Sequence, residues 1–121
     1  MSSKKTVILG ASTNPSRYSY MAANRLTEHG HEIVPVGIKK GDVAEVQIQN
    51  DKTLHENVDT VTLYLGPQNQ PEYYDFILKL KPKRVIFNPG TYNEELIKKL
   101  KENKIEVVDA CTLVMLSADT Y

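Results

Sequence analysis

The sequence predicts an α/β fold: one doubly wound parallel sheet in three α/β/α layers, with about five to six strands in a single domain, residues 1–121. Three observations carry this. Short, β-rich apolar runs alternate with stretches of helical spacing. Glycine, alone or in Asn-Pro-Gly, closes most of those runs. No linker, repeat or low-complexity tract breaks the alternation, and right-handed crossovers then wind the helices onto both faces of the sheet.

Each element has its own signal. Thr6 to Leu9 is an apolar run closed by Gly10, a buried strand by pattern. Over residues 18–29, Met21, Ala22, Arg25, Leu26 and His29 recur at steps of three and four. Gly30 then stands where a helix places its left-handed terminal residue. Residues 32–36 form the second strand, ended by Gly37. Residues 38–57 are polar, with a short strand expected around residues 46–48. "TVTLYL", residues 60–65, is the next strand, stopped by Gly66 and Pro67. Residues 71–80 carry helical spacing through Tyr74, Ile77, Leu78 and Leu80, with Pro82 past the end. Arg84 to Phe87 is a strand broken by Asn88, Pro89 and Gly90. Residues 93–103 form an amphipathic helix with Leu96, Ile97 and Leu100 inward. Residues 105–108 are the last strand, and residues 112–116 a short terminal helix.

Composition narrows the class. The 121 residues are 40% hydrophobic and 25% charged, ordinary for a globular domain. Lys plus Arg and Asp plus Glu number 15 each, so the formal net charge is zero. That balance argues against a dedicated nucleic-acid binder, while a local cation cluster can still hold one anion. The single cysteine, Cys111, removes internal disulfides and the secreted disulfide-framework class. No apolar run approaches the ~18 residues of a membrane span, and residues 1–5 hold no signal-peptide core. The expectation is a cytoplasmic protein without a membrane partner.

Such a sheet binds ligands at the carboxyl ends of its strands, where the strand order reverses. The loops that matter are therefore residues 10–17, 37–41, 66–70, 88–92 and 109–112. The first resembles a dinucleotide loop with a damaged fingerprint. Gly10 is present for the tight turn, but Ser12 and Pro15 stand where the second and third glycines belong. The loop still suits an anion, with Ser12, Thr13, Asn14 and Ser16, a helix start behind it, and Arg17 to grip phosphate. After the second strand, NAD-binding domains carry an acid for the ribose hydroxyls; here "VGIKKGD" offers Lys39 and Lys40. That favours a nucleotide with a ribose phosphate, NADP or coenzyme A, although Asp42 just beyond weakens the contrast.

The stretch "GASTNPSRYSYMAANRLTEHGHEIVPVG" closely resembles the CoA-binding domain family, small stand-alone Rossmann-like proteins related to the nucleotide domain of the succinyl-CoA synthetase α subunit. Gly10, Ala11, Ser12, Pro15, Arg17 and Ser19 fill the family's opening, G-A-S-x-x-P-x-R/K-x-S. Later blocks with "NPG", "NEE" and "KIEVVDAC" extend the resemblance over essentially the whole chain. It implies a Rossmann-like fold and a CoA-type ligand, and it supplies no reaction. It further implies that Ser12 and Ser19 donate hydroxyl bonds, Arg17 pairs with the diphosphate and Pro15 shapes the loop. Lys39 or Lys40 would meet the 3′-phosphate, and Asn88, Pro89 and Gly90 would line the far wall. Two positions depart from the family pattern. Gly37 replaces the asparagine of a V-N-P turn, and Asn88 replaces a glutamine before Pro-Gly.

Other residues have ordinary readings. Cys111 lies on the ligand-bearing edge but in an apolar context, which suits packing. His29 and His31 flank Gly30 away from that edge, and no third metal ligand is near in sequence. His55 reads as a surface residue, and Glu94 and Glu95 favour a helix start. Tyr18 and Tyr20 divide between ligand stacking and core, as do Tyr73 and Tyr74. No catalytic triad order, metal motif or Walker loop is visible. The expectation is a CoA- or acyl-CoA-binding module, acting alone, as a homodimer or with a partner protein. The alternatives are an NADP-dependent oxidoreductase and a regulatory subunit that has lost its ligand.

Overall fold

The computed structural model describes residues 3–121; of the polar N-terminal stretch, Met1 and Ser2 lie outside the described residues. Five parallel strands form the sheet. They are β1 (Thr6–Leu9), β2 (Ile33–Val36), β5 (Thr60–Leu63), β6 (Arg84–Phe87) and β7 (Glu106–Asp109), in the order β2-β1-β5-β6-β7. β1, β2 and β5 are buried at every residue, as near-continuous apolar strands covered on both faces must be. Pro35 is accommodated because β2 is an outer strand, where its missing N–H breaks no ladder.

Alternation along the strands divides the core. Val7, Leu9, Val61, Leu63, Val85 and Phe87 face α2 (Tyr74–Leu80) and α3 (Glu94–Glu102), meeting Phe76, Ile77, Leu96 and Leu100. Ile8 and Ile33 face the other way, with Ala23 and Leu26 of α1 (Tyr18–Glu28) and Leu116 of α4 (Thr112–Ser117). The two clusters make the three layers expected. No helix of the described residues is long and apolar enough to cross a membrane.

Several boundaries move. The strand expected over residues 60–65 stops at Leu63, because Gln70 draws the Leu65 carbonyl out of the sheet with a 2.9 Å bond from its amide. The helix expected over residues 71–80 opens as a 3-10 turn, Pro71–Tyr73, preceded by another at Pro67–Asn69, each with proline at its start. Asn93 proves to be the cap of α3 rather than its first residue, its Oδ1 accepting from the Glu95 and Leu96 N–H groups. The expected strand at residues 46–48 is half of a small antiparallel hairpin, β3 (Asp42–Val43) with β4 (Val46–Gln47). Its turn residues, Ala44 and Glu45, both have positive φ.

Candidate functional site

The chain runs from β1 outward to β2 and then returns past β1 to β5, so the strand order reverses between β1 and β5. The loops leaving those two strands go to opposite faces, α1 on one and α2 on the other. They open a crevice at the carboxyl edge.

The loop after β1 is tightly built. Gly10 has φ +104°, and a Cβ there would lie 3.0 Å from the Tyr64 carbonyl carbon. Only glycine lets this loop lie against the segment leaving β5. The Gly10 and Ala11 N–H groups both donate to the Val36 carbonyl at 2.9 Å. These two residues therefore shape the loop, and their amides are already used. Ser12 Oγ accepts from the Asn14 N–H at 3.0 Å, which leaves its own O–H free to donate. Asn14 Oδ1 accepts from the Ser16 N–H and Oγ–H, at 3.0 and 2.8 Å, with exposed Pro15 between. The loop is thus a run of side-chain-closed turns. Arg17 ends it in extended conformation as the N-cap of α1. No side chain caps α1 and no acid lies in its first turn, so the positive end of the helix is unopposed. Ser19, expected as a second hydroxyl donor, is buried in that first turn at 4% exposure. At that depth it is set back from the exposed surface of Arg17 and Tyr18 beside it.

The turn after β2 abuts this loop. A Cβ on Gly37 would fall 2.5 Å from the Ala11 carbonyl oxygen, and one on Gly41 would fall 2.6 Å from Thr13 Cγ2. The glycine at 37 is thus a consequence of where residues 11–13 run. Between the two contacts stand Lys39 and Lys40, both exposed. Among the described residues, the ion pairs are Lys5–Glu32, Arg25–Glu28, Lys52–Glu72, Lys83–Asp59 and Arg84–Asp59. Arg17, Lys39 and Lys40 belong to none of them.

The far wall differs from expectation. Asn88 is buried, and its side chain is fully committed. Nδ2 donates to Thr62 Oγ1 at 2.6 Å and to the Leu63 carbonyl at 2.8 Å, while Oδ1 accepts from the Thr112 N–H at 2.8 Å. It joins β5, β6 and the start of α4 and has no donor left to offer a ligand. Pro89 and Gly90 remain exposed, one strand beyond the switch point. The loop directly across the crevice is residues 64–70. It is anchored by Gln70, which has no exposed surface and donates to the Leu65 and Thr91 carbonyls at 2.9 and 2.8 Å. Asn93 Nδ2 donates to Gln70 Oε1 and to Tyr74 Oη, and the Tyr74 hydroxyl donates to Glu95. Sequence reading passed over Gln70, Asn93, Thr62 and Thr112 because their partners are distant in the chain.

Tyr64, at the start of that loop, carries a buried hydroxyl that lies beside those of Thr62 and Thr112 without forming a well-aligned hydrogen bond. Burial pushes its phenol up to about 12. The histidines are held by the chain itself, and His55, expected at the surface, is half-buried. His29 Nδ1 lies 2.8 Å from the Arg25 carbonyl, and His55 Nε2 lies 2.6 Å from Gln49 Oε1. His31 accepts the Lys4 N–H, and burial, then Lys4, lower its pKa. No group of three or more metal-type side chains occurs among the described residues. Cys111 is half-buried at the start of α4. A cavity of about 1010 Å³ lies at the amino edge instead, against Lys5, Asp59, Lys79 and Lys83. It is remote from the strand ends that form the crevice.

Comparison with known proteins agrees with the fold. Residues 4–117 match the family model described as the CoA binding domain. A crystal structure of an uncharacterized protein superposes with TM-score 0.97 at 60% identity, covering all of both chains. A protein of Thermus thermophilus superposes with TM-score 0.85 at 26% identity, over 98% of this chain and 91% of that one. The uncharacterized protein YneT of Bacillus subtilis is 25% identical over 114 residues, 93% of this chain and 84% of its own length.

Proposed function

The chain belongs to the CoA binding domain family, and from that premise we propose that it holds coenzyme A or an acyl-CoA in the crevice between β1 and β5. The diphosphate lies on the loop of residues 12–17, where Ser12 donates its hydroxyl and Arg17 pairs with the phosphates at the uncapped start of α1. Lys39 and Lys40 meet the 3′-phosphate of the adenosine. Pro15 fixes the loop, Gly10 and Ala11 tie it to β2, and Pro89 with Gly90 flank the outer part of the crevice.

One observation carries the reading. The contacts of Gly37 with Ala11 and of Gly41 with Thr13 bring the lysine turn against the phosphate loop. Arg17, which ends that loop, and Lys39 and Lys40 in the turn beside it are three cations without an ion-pair partner among the described residues, in a chain with no net charge. A ligand carrying both a diphosphate and a separate ribose phosphate matches that spread.

Isothermal titration with CoA, dephospho-CoA, NADP and NAD tests it. CoA is expected to bind saturably, and about tenfold more tightly than dephospho-CoA, as for a charge-assisted phosphate contact. Binding of NADP in preference to CoA, or of none of the four, overturns the proposal.

A further inference from the structure

The two lysines that would read the ribose phosphate are long and flexible, and a flexible cation discriminates only if its backbone is fixed. In this chain that backbone is held from outside the turn. Asn50 Nδ2 donates to the Gly37 and Lys39 carbonyls, both at 2.9 Å, using both of its amide protons on the lysine turn. The neighbouring residues complete the hold. The Gly37 N–H donates to the Gln49 carbonyl at 3.0 Å, and the Ile48 N–H donates to the Gly41 carbonyl at 2.8 Å. On the opposite side, Ala11 and Thr13 press against Gly37 and Gly41. The turn is therefore gripped at both ends by backbone and in its middle by one side chain. That side chain is the Asn50 amide, on a residue whose surface is otherwise exposed.

We infer that Asn50 is a positioning residue for ribose-phosphate selectivity: by holding the Gly37 and Lys39 carbonyls it aims Lys39 and Lys40 at the phosphate that distinguishes CoA from dephospho-CoA. The inference rests on the CoA reading above and adds a specific consequence. Losing the Asn50 amide lowers affinity for the 3′-phosphorylated nucleotide and leaves the diphosphate contacts alone. A residue that merely stabilised the domain would weaken both nucleotides together.

The experiment compares Asn50→Ala with the unsubstituted protein in titrations with CoA and dephospho-CoA, and repeats the comparison in a Lys39→Ala/Lys40→Ala background. CoA affinity is expected to fall about fivefold to tenfold, most of the preference that the 3′-phosphate contact supplies, while dephospho-CoA affinity stays within about twofold. In the lysine-free background Asn50→Ala should change CoA affinity no further, since coupled residues are not additive. Equal losses for both nucleotides, additive losses in the lysine-free background, or lysine substitutions without effect on CoA each overturn the role of Asn50. Failure of the unsubstituted protein to bind CoA would instead strike the functional reading. In that event amide exchange of residues 37–41 still decides whether Asn50 holds the turn. Faster exchange in Asn50→Ala is expected, and unchanged exchange refutes the hold.

Discussion

At the β2–β1 end of the carboxyl edge, Arg17, Lys39 and Lys40 stand exposed and outside the ion pairs of the described residues. At the β5–β6–β7 end, Gln70, Asn88 and Asn93 spend their amides on carbonyls, hydroxyls and N–H groups of the protein itself. Both ends are rich in polar residues, and on sequence alone both read as ligand loops. The difference lies in burial. A polar group that folding removes from water must find a partner within the protein, so the inner end is knitted together. The β2–β1 end keeps its charges in water. On the proposed reading, one half holds the crevice open and the other half supplies the contacts to CoA.

The sharpest way to break this contrast is Asn88→Ala. Removing it leaves the Leu63 carbonyl and the Thr112 N–H buried and unpaired, and each orphan costs about 1–3 kcal/mol. Urea unfolding should show a loss of about 3–4 kcal/mol; a loss below about 1 kcal/mol would mean that Asn88 is not the joint described. Arg17→Ala should do the reverse. CoA affinity falls about tenfold to a hundredfold, as for one charge-assisted phosphate contact, while the urea midpoint stays put. A stability loss with unchanged affinity would exchange the two halves.

Gly37→Ala probes the seam between the β1 and β2 loops. Its Cβ would sit 2.5 Å from the Ala11 carbonyl oxygen, and backbone cannot yield cheaply. Overpacking of about 1–3 kcal/mol is expected, together with weaker CoA binding because the phosphate loop is displaced. A neutral outcome in both measurements would show the seam to be loose.

Tyr64→Phe is the mildest change. Its buried hydroxyl makes no well-aligned hydrogen bond, so removing it at neutral pH should shift stability by less than about 1 kcal/mol. At high pH the sign is set by its raised pKa. The folded phenol titrates at about 12 rather than 10.0, so the unfolded chain loses its proton first. The stability present below pH 10 is then lost as pH rises through 12, by on the order of 2 kcal/mol. Unfolding measured across that range should decline more steeply in the unsubstituted protein than in Tyr64→Phe. Parallel declines would mean that the phenol is not buried in solution.

Much of this molecule was legible as pattern. Apolar runs closed by Gly10 and Gly37 marked β1 and β2, period-3.6 spacing marked α1 and α3, and the Gly10–Ser19 opening identified the family. Local chemistry suffices for these because burial on both faces demands continuous apolar runs. The hairpin of β3 and β4 was half hidden, since its turn holds Ala44 and Glu45 at positive φ where Asn-Gly would have announced it. The roles of Asn88, Ser19, Gln70 and Asn50 were not legible at all. Asn88 meets Thr62 and Thr112 across 26 and 24 residues of chain, and Asn50 meets Lys39 across 11. An amide has the same donors whether it faces ligand, water or a buried carbonyl. The sequence by itself therefore determined which residues can bind a phosphate. Only the tertiary structure decided which of them are free to do so, because folding commits each polar group to the partner that burial places beside it.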